Sequence, residues 1–370
     1  MSDTLAFSYT GRGRAEADCV VVGSTVVTIE TDDVDALRHH GDAEAAPGLL
    51  DFAVNVQGDG PPEWLRRRLA AGLATLGSYP SEAAHLRARE AVAARHGRTV
   101  DEVLLLAGGA EGFAMLPKLE PTLAALIHPS FTEPEWMLRQ ARVPITRVVL
   151  EPPYQLSGAA VPESADLVVV GNPTNPTSVL HPASEILALR RPGRILVVDE
   201  AFSDAIPGEP ESVAGKSMPD VVVLRSLTKT WALAGLRCGY ALASPDVLRR
   251  LQVGRAHWPL GSLQLEAIEA CCEPAAVAAA QERAARIEEQ RSEMAARLTA
   301  TGMNVHGPAT APFLLVEVPD GDAVRSRLRA RGIAVRRGDT FPGLGSDHLR
   351  VAVRGRTETD VLISALEEIL

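Results

Sequence analysis

Among residues able to do chemistry, one lysine stands apart. Of the 37 lysines and arginines in this 370-residue chain, only Lys118, Lys216 and Lys229 are lysine. Lys229 follows the apolar run Val221-Val222-Val223-Leu224, which reads as a short strand buried on both faces. An uncompensated ammonium beside a buried strand is costly, so its charge is normally removed, paired or used. An amine can form a Schiff base where a guanidinium cannot. A lone lysine at a strand end usually just reaches water. Here Ser226, Thr228 and Arg237 flank it, and Gly235 and Gly239 allow close backbone approach. Two hydroxyls and an arginine around an amine describe a phosphate site that contains a nucleophile.

Other stretches carry compatible chemistry. Gly108-Gly109-Ala110-Glu111 lies between a predicted strand and helix, where backbone N–H groups can cradle an anion. Asn172-Pro173-Thr174-Asn175-Pro176-Thr177 sets a polar turn between two prolines, which fixes the loop and aims an amide side chain at one point. Asp199 closes the apolar run that starts at Ile195, and a carboxylate buried there needs a cation. Arg350 supplies the planar bidentate donor that a carboxylate requires. Arg336-Arg337, upstream of it, reads either as a second anion contact or as a solvated charge run.

These residues need a scaffold, and the pattern around them supplies one. Short apolar runs at 103–106, 124–128, 147–150, 167–170, 195–198 and 221–224 alternate with helical patterns, which implies a mostly parallel sheet covered on both faces. Helices are expected over 62–76 and 81–96, and a long amphipathic helical region from after Pro259 to Leu298. Strands at 313–318 and 349–353 with helices at 323–331 and 358–370 suggest a small α+β domain. The expected division is an N-terminal extension (1–37) without assigned role, containing a hairpin pattern or docking arm, then a large domain (38–260), then a linking helix with the small domain (261–370).

Composition narrows the partners. A net charge of −10 argues against nucleic acid, whose phosphates demand a basic face. No apolar run reaches membrane-spanning length and no secretory pattern opens the chain, so no membrane is expected and the location expected is cytoplasmic. Cys19, Cys238, Cys271 and Cys272 lack metal-ligand spacing, and no metal is assigned.

The segment Ser226-Leu227-Thr228-Lys229, followed by Gly235-Leu236-Arg237-Cys238-Gly239-Tyr240, resembles the cofactor-lysine segment of fold-type I pyridoxal 5′-phosphate-dependent aminotransferases (class I/II). The resemblance runs from about Arg38 to Leu370 and implies an α/β fold with a mostly parallel seven-stranded sheet in the large domain plus a small α+β C-terminal domain. It implies that Lys229 carries pyridoxal 5′-phosphate and that Ser226, Thr228, Arg237 and the amides of Gly109, Ala110 and Glu111 hold its phosphate. Phe131 would stack on the ring. Asn175, in a stretch similar to N-P-x-N-P-T-G, would donate to the ring oxygen, and Asp199 would pair with the pyridine nitrogen. Two positions depart from the family pattern: Ser178 stands where it has glycine, and Phe202 where many members have tyrosine.

For substrate, the resemblance assigns Arg350 to the α-carboxylate and Arg336 or Arg337 to a substrate phosphate, with His40 and Gly41 nearby. Tyr79 would reach a partner's cofactor, implying a homodimer with shared sites. Within the family the chain resembles the histidinol-phosphate aminotransferase branch and, inside it, the threonine-phosphate decarboxylases, through His39-His40-Gly41-Asp42, the 49–65 stretch and Phe202. The expected reaction is therefore decarboxylation of L-threonine O-3-phosphate to (R)-1-amino-2-propanol O-2-phosphate in cobalamin assembly. The alternative is an aminotransferase acting on histidinol phosphate or another amino acid.

Overall fold

The computed structural model describes residues 18–22, 25–29 and 36–370. Its main sheet contains β4 (Val103–Leu106), β5 (Ala124–His128), β6 (Ile145–Val149), β7 (Leu167–Gly171), β8 (Ile195–Asp199), β9 (Val221–Ser226) and β10 (Gly239–Leu242). These run in the spatial order β6-β5-β7-β8-β9-β10-β4, and only β10 is antiparallel to its neighbours. Sequence reasoning missed β10, because its apolar run follows the lysine loop so closely. Two more strands, β1 (Asp18–Val22) and β2 (Thr25–Ile29), pair with each other, and β1 lies parallel to β6 at the sheet edge. Residues 23 and 24, between the two strands of the expected hairpin, lie outside the described residues.

Alternation along the strands explains the burial. Val221 and Val223 enter one hydrophobic cluster while Val222 and Leu224 enter another on the opposite face. Each face must therefore be roofed by helices, which is why these strands read as continuous apolar runs. Helices α1 (Glu63–Gly72), α2 (Glu82–His96) and α7 (Ser262–Cys272) roof the first face; α3 (Gly109–Met115), α4 (Glu133–Gln140) and α6 (Pro245–Leu251) line the second, and α5 (Ala183–Ala188) joins the first. The helix expected through Leu298 is two: α7 ends at Cys272 and α8 spans Pro274–Ala300. Glu273 is extended (ψ 149°), as a residue before proline tends to be. Cys238, Cys271 and Cys272 are free and buried.

A second sheet orders β11 (Asn304–Val305), β12 (Phe313–Glu317), β15 (His348–Ala352) and β14 (Arg336–Arg337) side by side. Helices α9 (Gly321–Ala330) and α10 (Arg356–Ile369) share its separate apolar core with the end of α8. Leu50–Asp51 (β3) pairs with β13 (Ile333–Ala334), and Phe52 is buried in that second core. The arm before α1 thus crosses from one sheet to the other.

Candidate active site

The C-terminal ends of the parallel strands β5, β7, β8 and β9 converge on one cleft, where α/β sheets ordinarily bind ligands. Ser226 ends β9, and Gly239, opposite it on β10, lies so close that a Cβ there would come within 2.7 Å of the Arg225 carbonyl and 3.0 Å of the Gly109 nitrogen. Gly108 turns the chain into α3 with φ +81°, and a Cβ on it would meet Arg237 Nη2 at 2.6 Å. The glycine turn, Ser226 and Arg237 therefore form one cradle. The buried Thr228 hydroxyl points into the interior without a hydrogen-bond partner, and an unpaired buried polar atom is costly until an acceptor meets it. That donor set fits a phosphate group. The Glu111 carboxylate is engaged elsewhere, accepting from the Ala107 amide at 2.6 Å and from Arg255 Nε and Nη2 at 2.9 Å.

Beside the cradle, Phe131, Asn175 and Asp199 line one small cavity with Gly171 and Val169. An aromatic face, an amide and a carboxylate around one void fit a flat, polar ring. Burial raises the Asp199 pKa to about 6, with Glu200 adding to the rise, while the Ala201 amide, 3.1 Å away, and Lys229 oppose it. Lys229 is driven the other way. Burial first, then Arg350 and Arg237, lowers its pKa to about 8, so about a tenth of the amine is neutral at pH 7 and about half at pH 8. Its Nζ lies 6.0 Å from the Phe202 ring centre, where a tyrosine hydroxyl is absent.

Arg350 is the bridge between the two sheets. Its Nη1 donates to Asn175 Oδ1 at 2.7 Å and its Nη2 to the Ala53 carbonyl, while Nε has no partner. Burial, then Arg336, lowers its pKa to about 9. Gly41 lets this happen, since a Cβ there would sit 2.4 Å from the Ala53 oxygen and 3.3 Å from Arg350 Nη2. His40 hydrogen-bonds Glu133 at 3.1 Å and packs on Phe131 with ring centres 5.2 Å apart. The His40-Gly41 segment is thus at the cleft.

Arg336 opposes Arg350 across the β14–β15 pairing. It is buried and donates to the His39 carbonyl at 2.6 Å, to Thr340 Oγ1 at 2.5 Å and to the Arg337 carbonyl at 3.0 Å. Arg337 instead forms a two-pronged pair with Asp339. Of the two, Arg336 keeps a charge without a carboxylate partner among the described residues. Asp42, whose charge would oppose an anion, is exposed. Tyr79 lies outside the cleft, 76% exposed and stacked on Trp258 with ring centres 4.4 Å apart.

Together the fold and this cleft define a lysine-centred, cofactor-dependent enzyme of the aminotransferase type. Comparison with known proteins agrees: the aminotransferase class I and II family profile matches residues 47–366, and the chain belongs to that family. It is a pyridoxal 5′-phosphate enzyme. A Mycobacterium tuberculosis protein named histidinol-phosphate aminotransferase is 60% identical over 93% of each chain. The threonine-phosphate decarboxylase of Salmonella typhimurium is 32% identical, covering 87% of this chain and 91% of that one. The crystal structure of the Sinorhizobium meliloti histidinol-phosphate aminotransferase in complex with pyridoxal-5′-phosphate superposes with a TM-score of 0.76 at 22% identity, over 85% of this chain and 89% of that one.

These relationships correct the expected reaction. The short motifs point to decarboxylation of threonine phosphate, but the 60% identity lies with proteins named aminotransferases. The physical reason is that those motifs mostly hold groups common to both reactions. Which substrate bond breaks depends on the angle at which the substrate is held, and no short motif encodes it.

Proposed function

We propose that the protein transfers the amino group of histidinol phosphate to an oxo acid, working as a homodimer. The observation that carries the reading is the pair Arg350 and Arg336. They are neighbours on paired strands, both are buried, and among the described residues neither meets a carboxylate. Buried guanidiniums with only neutral acceptors favour an anionic ligand. Histidinol phosphate presents an amine and a phosphate ester but no carboxylate, and the oxo acid presents carboxylates. Arg350 would take the carboxylate of the oxo acid, and its neighbour Arg336 the phosphate of histidinol phosphate. The high identity to proteins named for that substrate supports the same choice.

The chain's own groups have separable roles. Ser226, Thr228, Arg237 and the amides of the Gly109 turn would hold the cofactor phosphate, and Phe131 would cover one face of its ring. Asp199 would hold a proton at the ring nitrogen. Asn175 gives its Oδ1 to Arg350, which leaves its Nδ2 to donate toward the ring oxygen. Once bound, pyridoxal phosphate supplies the electron sink for breaking a bond at the substrate Cα. Lys229, with its pKa near 8, is suited to take and return the Cα proton. Arg336 or Arg337 would meet the substrate phosphate. Tyr79, with exposed Leu73, Leu76 and Trp258, would meet the partner subunit.

The test is a paired assay. Protein loaded with cofactor is given histidinol phosphate with and without 2-oxoglutarate, and threonine phosphate with carbon dioxide measured. Amino transfer that requires the oxo acid is the expected result. Release of carbon dioxide from threonine phosphate with no transfer from histidinol phosphate would overturn the reading.

A further inference from the structure

Outside the cleft, three residues distant in sequence meet on one face of the second sheet. Glu317 ends β12, His348 begins β15 directly opposite it, and His306 follows β11 on the other side of β12. The central strand therefore carries a carboxylate flanked by an imidazole from each neighbour. The donor atoms of all three lie within 4.8 Å of one another. His306 Nε2 is 3.4 Å from Glu317 Oε2, and the two imidazole rings stack with centres 5.5 Å apart.

Ligands at about 2.0–2.1 Å in a tetrahedral shell stand roughly 3.3 Å apart. The His306–Glu317 separation already matches that edge, and the remaining contraction is within reach of side-chain rotation. A second observation concerns His306 alone. Its side chain is only 9% exposed, and Nε2 faces the cluster with only the long 3.4 Å approach of Glu317 Oε2 before it among the described residues. A polar atom so deep and so weakly paired is costly unless something else occupies the position before it. Tyr154, from the segment after β6, closes the site with its ring centre 5.4 Å from that of His306. Asn304 Nδ2 donates to Glu317 Oε2 at 3.1 Å and orients the carboxylate.

We propose that His306, Glu317 and His348 form a binding site for a divalent transition-metal ion of the zinc class. Two imidazoles and one carboxylate suit Zn²⁺, Co²⁺ or Ni²⁺ rather than Mg²⁺ or Ca²⁺, and the half-exposed Glu317 leaves room for water as a further ligand. The ion would tie β11, β12 and β15 together. Because His348 lies on the strand that carries Arg350, it would also fix the strand that presents the anion-binding arginine.

The test titrates chelator-treated, cofactor-loaded protein with CoCl₂ at pH 7.5, followed by calorimetry and by the visible d–d absorption of Co²⁺. One equivalent bound at micromolar concentration, with the intense bands of a low-coordinate ion that Zn²⁺ displaces, is expected. His306→Phe keeps the ring packing and His348→Gln keeps an acceptor for the Gly345 amide, which now donates to His348 Nδ1 at 3.2 Å. Each should weaken binding by about tenfold or more and reduce the rise in melting temperature that Zn²⁺ gives the wild type. A third readout uses the wild type alone: Zn²⁺ should protect the peptides containing His306 and His348 from acylation by diethyl pyrocarbonate. Substoichiometric binding, unchanged affinity in both variants, or protection mapping to other histidines would each overturn the site.

Discussion

The Arg350 guanidinium donates to the Asn175 side-chain oxygen at 2.7 Å, joining a strand of the second sheet to the loop after β7 of the first. The arginine proposed to bind substrate thus orients the amide proposed to face the cofactor ring. Loss of Arg350 should therefore be felt twice. Arg350→Ala removes a charge-assisted contact worth on the order of 1.5–3 kcal/mol, roughly 10- to 150-fold in kcat/KM. It should also shift the cofactor's visible absorption, because Asn175 is released. An unchanged spectrum would separate the two residues functionally.

Arg336→Ala and Arg337→Ala distinguish the phosphate contact. Assayed on histidinol phosphate and on an unphosphorylated amino donor, the variant that loses the phosphate contact should lose about tenfold or more on the first alone. Arg336 is the better candidate, since Arg337 is already paired with Asp339. Equal losses on both substrates would leave these arginines a structural role.

Lys229 sets a pH dependence. Its lowered pKa puts the midpoint of the neutral, nucleophilic amine near pH 8 instead of 10.5. Capture of added pyridoxal phosphate by cofactor-free protein should accelerate with pH and level off above about 8. Borohydride should then fix the cofactor to wild type and not to Lys229→Ala. A midpoint above pH 10 would contradict the burial of this amine.

Asp199 carries the opposite sign. Its pKa in the folded, cofactor-free protein is raised to about 6 from 3.8, so between those values the folded state holds the extra proton. Its contribution to stability is full below pH 3.8 and declines as pH rises through about 6, by at most about 3 kcal/mol. Asp199→Asn should flatten that slope and stabilise the cofactor-free protein at pH 7 while abolishing turnover. Denaturant titrations at pH 5 and pH 7 measure it.

Gly108 and Ser178 test the turns. Gly108→Ala adds a methyl 2.6 Å from Arg237 Nη2 at φ +81°, and should raise the cofactor dissociation constant about tenfold or more as Arg237 is displaced. Ser178, at φ +64°, sits in a conformation that favours glycine. Its hydroxyl, however, accepts from the Thr310 and Ala311 amides at 3.1 and 2.8 Å. Two contacts outweigh the relief of strain, so Ser178→Gly should lower stability by about 1 kcal/mol. A gain in melting temperature would reverse that balance.

By itself the sequence determined the parallel sheet and the identity of the cofactor chemistry. Strands buried on both faces must be apolar throughout, and the groups proposed to meet the cofactor follow strand ends, so Lys229, Asp199 and Asn175 are legible as polar residues after apolar runs. Local rules also brought out Ser226 and Arg237 as phosphate-contact candidates, three and eight residues from the lysine. The reaction was not legible in that way, because the two chemistries share these groups and differ in how the substrate is held. Only the tertiary structure decided that Gly41 and Ala53 meet Arg350, that Arg336 turns inward while Arg337 pairs with Asp339, and that His306, Glu317 and His348 come together. Apart from the Arg337–Asp339 pair, which is two residues apart, these relationships join separate strands and segments, and such contacts are set by sheet register and by the packing of one core against another, which no local spacing records.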